Sequence, residues 1–333
     1  MWVEDSKSRW FDIIVRSGKV LPQIWPRVLV VVALSVVVTV FYQETKLFHI
    51  SITPTPFSLI GWPLGIFLGF RNSAAYDRFW EARKLWGSLV NQTRSFARQL
   101  LTFVDAPPGL GSRPQLPIDE KNVRGESSVP GEITTDPSLR RELVYRSIAF
   151  VHALRHYLRD QSVLDELGPY LPEADILELK DQPNIPVLIL QRLAERVADA
   201  RREGRIHVYH AVLLEQSLQS FTDIQGACER IKSTPIPFSY TVLMHRVVAV
   251  YCTLLPFGLA DTIHWFTPLV VMFISYAFFG LDAIGDEIEQ PFGLDRNDLP
   301  LTTISRNIER VLRMQLGEKA LPPALLPQNN ILN

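Results

Sequence analysis

Fifteen consecutive residues, Pro56 to Phe70, carry no charge, and Arg71-Asn72 follow at once. Wound as a helix, the stretch sorts into two stripes, because side chains four positions apart lie over one another. Gly61, Gly65 and Gly69 leave one face nearly bare backbone. Trp62, Ile66 and Phe70 line up bulky apolar groups on the adjacent face. Small residues at that spacing let helices approach closely inside a membrane, where burial from water no longer drives association. A bulky apolar row beside such a face makes a hydrophobic constriction, gated by dewetting, when several copies surround an axis. Spacing alone allows a simpler reading, a helix packed on its glycine side with the bulky row facing lipid or core.

Three other uncharged runs share the chain with charged stretches, the composition of a membrane protein with a large water-exposed part. The 333 residues carry a formal net charge of −1, so no global field argues for a nucleic-acid partner. The two cysteines, Cys228 and Cys252, are far apart, which argues against a disulfide scaffold or a thiolate metal site. Residues 1–26 hold seven charged side chains and no small-residue cleavage site after an apolar run, so they do not read as a signal peptide. They read instead as an interfacial amphipathic segment with Trp10 and Trp25 at headgroup level.

Val28 to Tyr42 is the clearest apolar run. It is short of the ~20 residues that cross the hydrocarbon unless Ile24 and Trp25 extend it past Pro26. Val247–Ala260 and Phe266–Leu281 form a second pair of runs around Asp261 and His264. The sequence therefore predicts membrane helices at 27–43, 55–72, 241–262 and 265–282. Basic residues flank the first run and follow Phe70, so the positive-inside rule puts both termini in the cytoplasm and 43–55 outside. Residues 73–240 form the predicted cytoplasmic region. Within it, 71–105 read as a long amphipathic helix, 106–137 as a mobile Pro/Gly/Ser loop, and 138–165, 173–179, 187–202 and 207–232 as further helices. Residues 283–333 complete the cytoplasmic part, with a helix over 301–316.

Several of these stretches resemble the bestrophin family of channels in its bacterial branch. They are Pro56-Phe57-Ser58, Ile66-Phe67-Leu68-Gly69-Phe70-Arg71-Asn72, Glu81-Ala82-Arg83-Lys84-Leu85-Trp86-Gly87 and Pro268-Leu269-Val270-Val271. The most specific is Phe278-Phe279-Gly280-Leu281-Asp282-Ala283-Ile284-Gly285-Asp286-Glu287-Ile288-Glu289-Gln290-Pro291-Phe292-Gly293. The resemblance implies an all-α membrane protein, four membrane helices per subunit, a helical cytoplasmic vestibule and five subunits around a central pore in the bacterial inner membrane. It makes Trp62, Ile66 and Phe70 the pore neck, with Trp62 in place of the usual smaller aliphatic residue. A second restriction is placed between Val212 and Leu218, at Leu214. Eukaryotic members resemble calcium-gated anion channels with an acidic run after Pro-Phe-Gly. Here Arg296 breaks that run, which argues against a calcium clasp. An apolar neck has no charge to choose the sign of the ion. Selectivity would then rest on vestibule charges such as Glu215 and Asp223, or on the ring edge of Phe70.

Rival constellations are weaker. Asp282 and Asp286 share a helix face beside Glu287 and Glu289, which admits a metal-dependent membrane enzyme or a solvated helix end. His152 with His156, and His207 with His210, have helical spacing without a third zinc ligand. Arg71, Arg78, Arg83 and Lys84 form either an anion-attracting patch or a positive-inside flank. The expectation is therefore a channel for chloride, other anions or monovalent cations, with membrane lipid and its own copies as partners. No catalytic residue, metal or cofactor is expected. A non-conducting scaffold or regulatory subunit of the same fold is the alternative, with the metal-dependent enzyme behind it.

Overall fold

The computed structural model describes residues 20–45, 53–104 and 137–327. The expected interfacial segment before Val20 and residues 106–136 of the expected mobile loop lie outside the described residues, as do 46–52 and 328–333. The described residues are helical apart from short turns and one antiparallel bridge, Val104 to Ile206. They fall into two compact units, each with its own core. One comprises residues up to Lys84 and Arg230–Pro300, the other Leu85–Glu229 and Leu301–Leu325.

The first unit begins with α1, Val20–Thr45, which runs through Pro26, so Ile24 and Trp25 do lengthen the apolar run. Its polar Thr39 donates to the Ser35 carbonyl at 2.7 Å and exposes no unsatisfied hydroxyl. Helix α2, Thr55–Phe103, is continuous for 49 residues, so the expected membrane helix and the amphipathic helix after it are one element. It supplies its first thirty residues to this unit. The hairpin partners are numbered after the helices of the second unit: α8 is Phe238–Ile263, a 3₁₀ turn covers His264–Phe266, and α9 is Thr267–Glu289. His264 turns the chain with φ of 50°. Four faces meet in one apolar core: Ile24, Val28 and Val31 of α1, Leu64 and Leu68 of α2, Val248, Cys252 and Leu255 of α8, and Val271, Phe279 and Ala283 of α9. The i, i+4, i+7 recurrence on α1 and α8 is what a buried helical stripe requires. Among the described residues, two segments are long and apolar enough to cross a membrane: Pro22–Glu44, and Phe238–Glu289, which contains both hairpin helices.

The second unit takes the rest of α2 and adds α3 (Pro137–Leu158), the short α4 (Leu164–Leu167) and α5 (Glu173–Leu179). Helices α6 (Ile185–Arg202), α7 (Val208–Ser233) and α10 (Leu301–Gln315) complete it. Pro183 and Pro186 bracket the start of α6, where the Asn184 side chain accepts from the Val187 amide. In α2, Trp86, Leu89, Phe96 and Leu100 repeat at helical spacing and are fully buried. Phe221 of α7 packs against Phe96 edge-on at 5.5 Å and against Phe150 of α3 at 5.6 Å.

Candidate functional site

Helix α2 separates its apolar residues by face. Leu64 and Leu68 are 3% and 0% exposed in the core of the first unit. Trp62, Ile66 and Phe70 are 77%, 55% and 66% exposed. Bulky apolar groups left bare along one line belong against lipid, another copy or a pore. The glycine stripe divides. A Cβ on Gly61 would come within 2.6 Å of the Tyr251 hydroxyl, whereas Gly65 and Gly69 meet nothing within 4 Å.

At its charged end the exposed stripe stops at a buried anchor. Arg71, 1% exposed, donates through Nη1 to Oδ1 of Asp282 at 2.9 Å and through Nη2 to Oδ1 of Asp286. His245 of α8 approaches the other carboxylate oxygens, with Nδ1 2.6 Å from Oδ2 of Asp282 and Nε2 3.5 Å from Oδ2 of Asp286. Asn72 adds a bond from Nδ2 to the Leu281 carbonyl at 2.9 Å. Gly285 is needed here, since a Cβ would press on Oδ1 of Asn72 at 2.5 Å. One residue after the exposed stripe, α2 is thus tied to α9, whose carboxylates in turn meet α8 through His245. Of the other basic residues, Arg78 caps helix ends through the carbonyls of Ile231, Thr234 and Glu289. Arg83 and Lys84 remain exposed.

His245, Asp282 and Asp286 bring three ligand atoms within 4.8 Å of one another and are the group among the described residues with metal-ligand geometry. The buried Arg71 guanidinium is paired with both carboxylates and balances one of their two charges, so the donor set is bonded as an ion-paired joint. In the loop after Gly293, Asp298 accepts from the Asp295 amide at 2.7 Å, and Asn297 donates to Glu287 at 3.0 Å. Asp298 thereby spends a carboxylate oxygen on closing its own loop.

In the second unit, Glu215 and Asp223 of α7 are exposed. Leu214 is not. It is 0% exposed in the core of its own unit, so its side chain is not available to line a passage. Val212, two positions earlier on α7, is 55% exposed.

The histidine pairs also find partners other than zinc. His152 of α3 is fully buried, with Nδ1 2.9 Å from Oε1 of Glu166 and Nε2 3.6 Å from Oε2 of Glu309. His156 and Arg155 also reach Glu166, and Arg306 and Arg313 donate to Glu309 at 3.1 and 3.2 Å. Burial pushes the Glu166 carboxyl up, but hydrogen bonds from His152 and His156 and the charges of His152 and Arg155 hold it well below the usual range. Glu309 follows the same balance, lowered against its burial by His152, Arg306 and Tyr170. His210 stacks on Phe103 at 4.2 Å, and His207 meets it edge-on at 5.9 Å.

A family model described as "Bacterial/Fungal Bestrophin protein" matches residues 1–314. The chain belongs to the bestrophin family. A relative named voltage-dependent anion channel-forming protein from Ralstonia nicotianae is 38% identical over 313 residues, covering 94% of each chain. A protein of the same description from Escherichia coli, YneE, is 35% identical and covers 96% of this chain and 95% of its own. Among solved structures, a crystal structure of a bacterial bestrophin homologue from Klebsiella pneumoniae superposes with a TM-score of 0.77 at 34% identity. It covers 89% of this chain and 100% of its own. The bestrophin motif around Phe278–Gly293 is the part of the sequence that builds the Arg71 anchor. The sequence missed one charged residue of bestrophin α8, Arg246, although an arginine beside a long apolar run is itself a signal.

Proposed function

We propose that five copies of this chain form an ion channel in the bacterial plasma membrane, with Trp62, Ile66 and Phe70 of each copy lining a hydrophobic neck. The observation that carries the reading is the bare apolar stripe on a helix whose opposite face is buried in its own unit. Each subunit spans the membrane four times, at 27–43, 55–72, 241–262 and 265–282, with both termini in the cytoplasm. Val212 replaces Leu214 as the apolar restriction of the vestibule, beside Glu215 and Asp223. No covalent chemistry and no cofactor enter the reading, and the permeant species is a small inorganic anion. The anion assignment draws on the printed names of the curated relatives and on Phe70, whose positive ring edge suits an anion in an otherwise apolar passage.

The test is the reversal potential of purified protein in a planar bilayer under a salt gradient, wild type beside the triple variant Trp62→Ala, Ile66→Ala, Phe70→Ala. A reversal near the chloride equilibrium potential is expected. The triple variant should raise conductance roughly tenfold, the effect of removing about 1.4 kcal/mol of dewetting barrier. A reversal near the cation potential would overturn the anion assignment and leave the neck. No rise in the triple variant would move the neck off this stripe. Silence from folded oligomers of both proteins would favour a non-conducting scaffold.

A further inference from the structure

Arg246 lies in α8 next to His245, yet it does not join the ion-paired anchor. It is exposed and has no ion pair or hydrogen bond among the described residues. An arginine on a membrane-spanning helix reaches for an anion or for the interface, because hydrocarbon offers its guanidinium no partner. A cavity of about 280 Å³ opens beside it, lined by Phe57 and Ile60 of α2 and by Val250, Tyr251 and Leu254 of α8.

The geometry of this groove is polarised. His245 meets Asp282 and Asp286, so Arg246 stands at the level where α9 passes from its uncharged run to its carboxylates. Val250 and Leu254 follow Arg246 by one and two helical turns on the same face, toward the uncharged end. One end of the groove therefore carries a cation and the rest is apolar. The groove is also separate from the neck stripe. At about 100° per residue, Ile60 is turned about 120° around α2 from Ile66. The α9 carboxylates at the depth of Arg246 are already engaged by Arg71 and His245, so among the described residues that helix of a second copy would bring no free acid to the groove.

We propose that the groove binds an anionic phospholipid, with the phosphate on Arg246 and an acyl chain along Val250, Leu254 and Ile60. The site rests on the membrane-spanning reading of α8 and is independent of conduction. Lipid retention is the readout, so its failure leaves the channel reading where it stands. Purified oligomer is stripped of lipid, titrated with phosphatidylglycerol or phosphatidylcholine in detergent, and the bound lipids are counted by native mass spectrometry. Wild type should retain phosphatidylglycerol about fivefold better, the preference one basic residue gives at an anionic membrane surface. Arg246→Gln should retain the two lipids equally, and Arg246→Lys should keep the preference. An unchanged preference in Arg246→Gln would overturn the site. So would dissociation of the Arg246→Gln oligomer with no change in phosphatidylglycerol per chain, which would mean that a second copy covers the groove. Should Arg246→Gln fail to fold, Leu254→Trp in the unaltered background gives a second reading. Brominated phosphatidylglycerol should quench that tryptophan more than brominated phosphatidylcholine does, and equal quenching counts against the lipid.

Discussion

Each unit holds a histidine between two carboxylates, and the two clusters differ in their supply of cations. In the first unit Asp282 and Asp286 share Arg71 on one side and His245 on the other. In the second, Glu166 and Glu309 flank His152 and draw on Arg155, His156, Arg306 and Arg313. One guanidinium serves two acids in the first cluster, whereas three serve the two of the second, with Arg313 also paired to Glu318. A buried ion pair stabilises little relative to an apolar pair, but removing one partner leaves an uncompensated charge. Redundancy therefore decides how each unit responds to a single loss. The first cluster also joins α2 directly below the exposed apolar stripe, so its failure would release the proposed pore-lining helix.

The largest effect is expected from Arg71→Ala. It strands Asp282, which is 1% exposed, beside Asp286, with His245 the remaining cationic partner among the described residues. Loss of such a partner costs about 3–5 kcal/mol. Thermal unfolding in detergent and gel filtration should show a destabilised protein that assembles poorly. Arg71→Lys should rescue little, because a single ammonium does not reproduce the fork that reaches both carboxylates. Full rescue by lysine would show that charge alone holds the joint, and would erase the contrast between the clusters.

Glu309→Gln sharpens the comparison from the other side. Its side chain is buried and accepts from Arg306 and Arg313, but Arg313 keeps a second acid, Glu318, at 2.7 Å. A cost of about 2–3 kcal/mol is expected, smaller than at Arg71. The cluster also makes the second unit acid-sensitive. Glu166 and Glu309 are both held below the usual carboxyl range in the folded chain. Their contribution is therefore present above the unfolded carboxyl value of about 4.3 and is lost as pH falls through the lower folded values. Hydrogen exchange at decreasing pH should open α3 and α10 in a step that Glu309→Gln weakens. An acid transition identical in wild type and Glu309→Gln would place the sensitivity elsewhere.

These two clusters also mark where the sequence ran out. Local signals were readable: the helix over 173–179 was expected with the ends it has, the 301–316 helix to within a residue, and the alignment of the bulky row on α2 came from spacing, which left open whether it faced pore, lipid or core. Partners were not readable. Asp282 and Asp286 could be seen sharing a face, but Arg71 is 211 residues from Asp282 in the chain. His152 and His156 showed helical spacing, yet their acids come from α4 and α10. The burial of Leu214 was unreadable for a different reason. A motif in a helix fixes position along the axis, whereas the face turned to the core depends on how the helix is rolled, and α7 turns Leu214 inward.

The smallest expected effect separates the glycines within one stripe. Inside the chain only Gly61 among the three is crowded, against the Tyr251 hydroxyl. Gly61→Ala forces that ring to move and should lower the stability of the subunit by about 1 kcal/mol, the low end of overpacking costs. Gly65→Ala and Gly69→Ala meet nothing in their own subunit. Their added methyl groups should leave subunit unfolding unchanged and act only where another copy of α2 packs on that flank. Gly65→Ala should therefore shift the oligomer toward smaller species in dilute detergent while Gly61→Ala lowers the unfolding temperature. If the two variants exchanged these phenotypes, the glycine flank would not be where neighbouring copies meet. Trp62, Ile66 and Phe70 would then have to be turned around the helix axis relative to the pore.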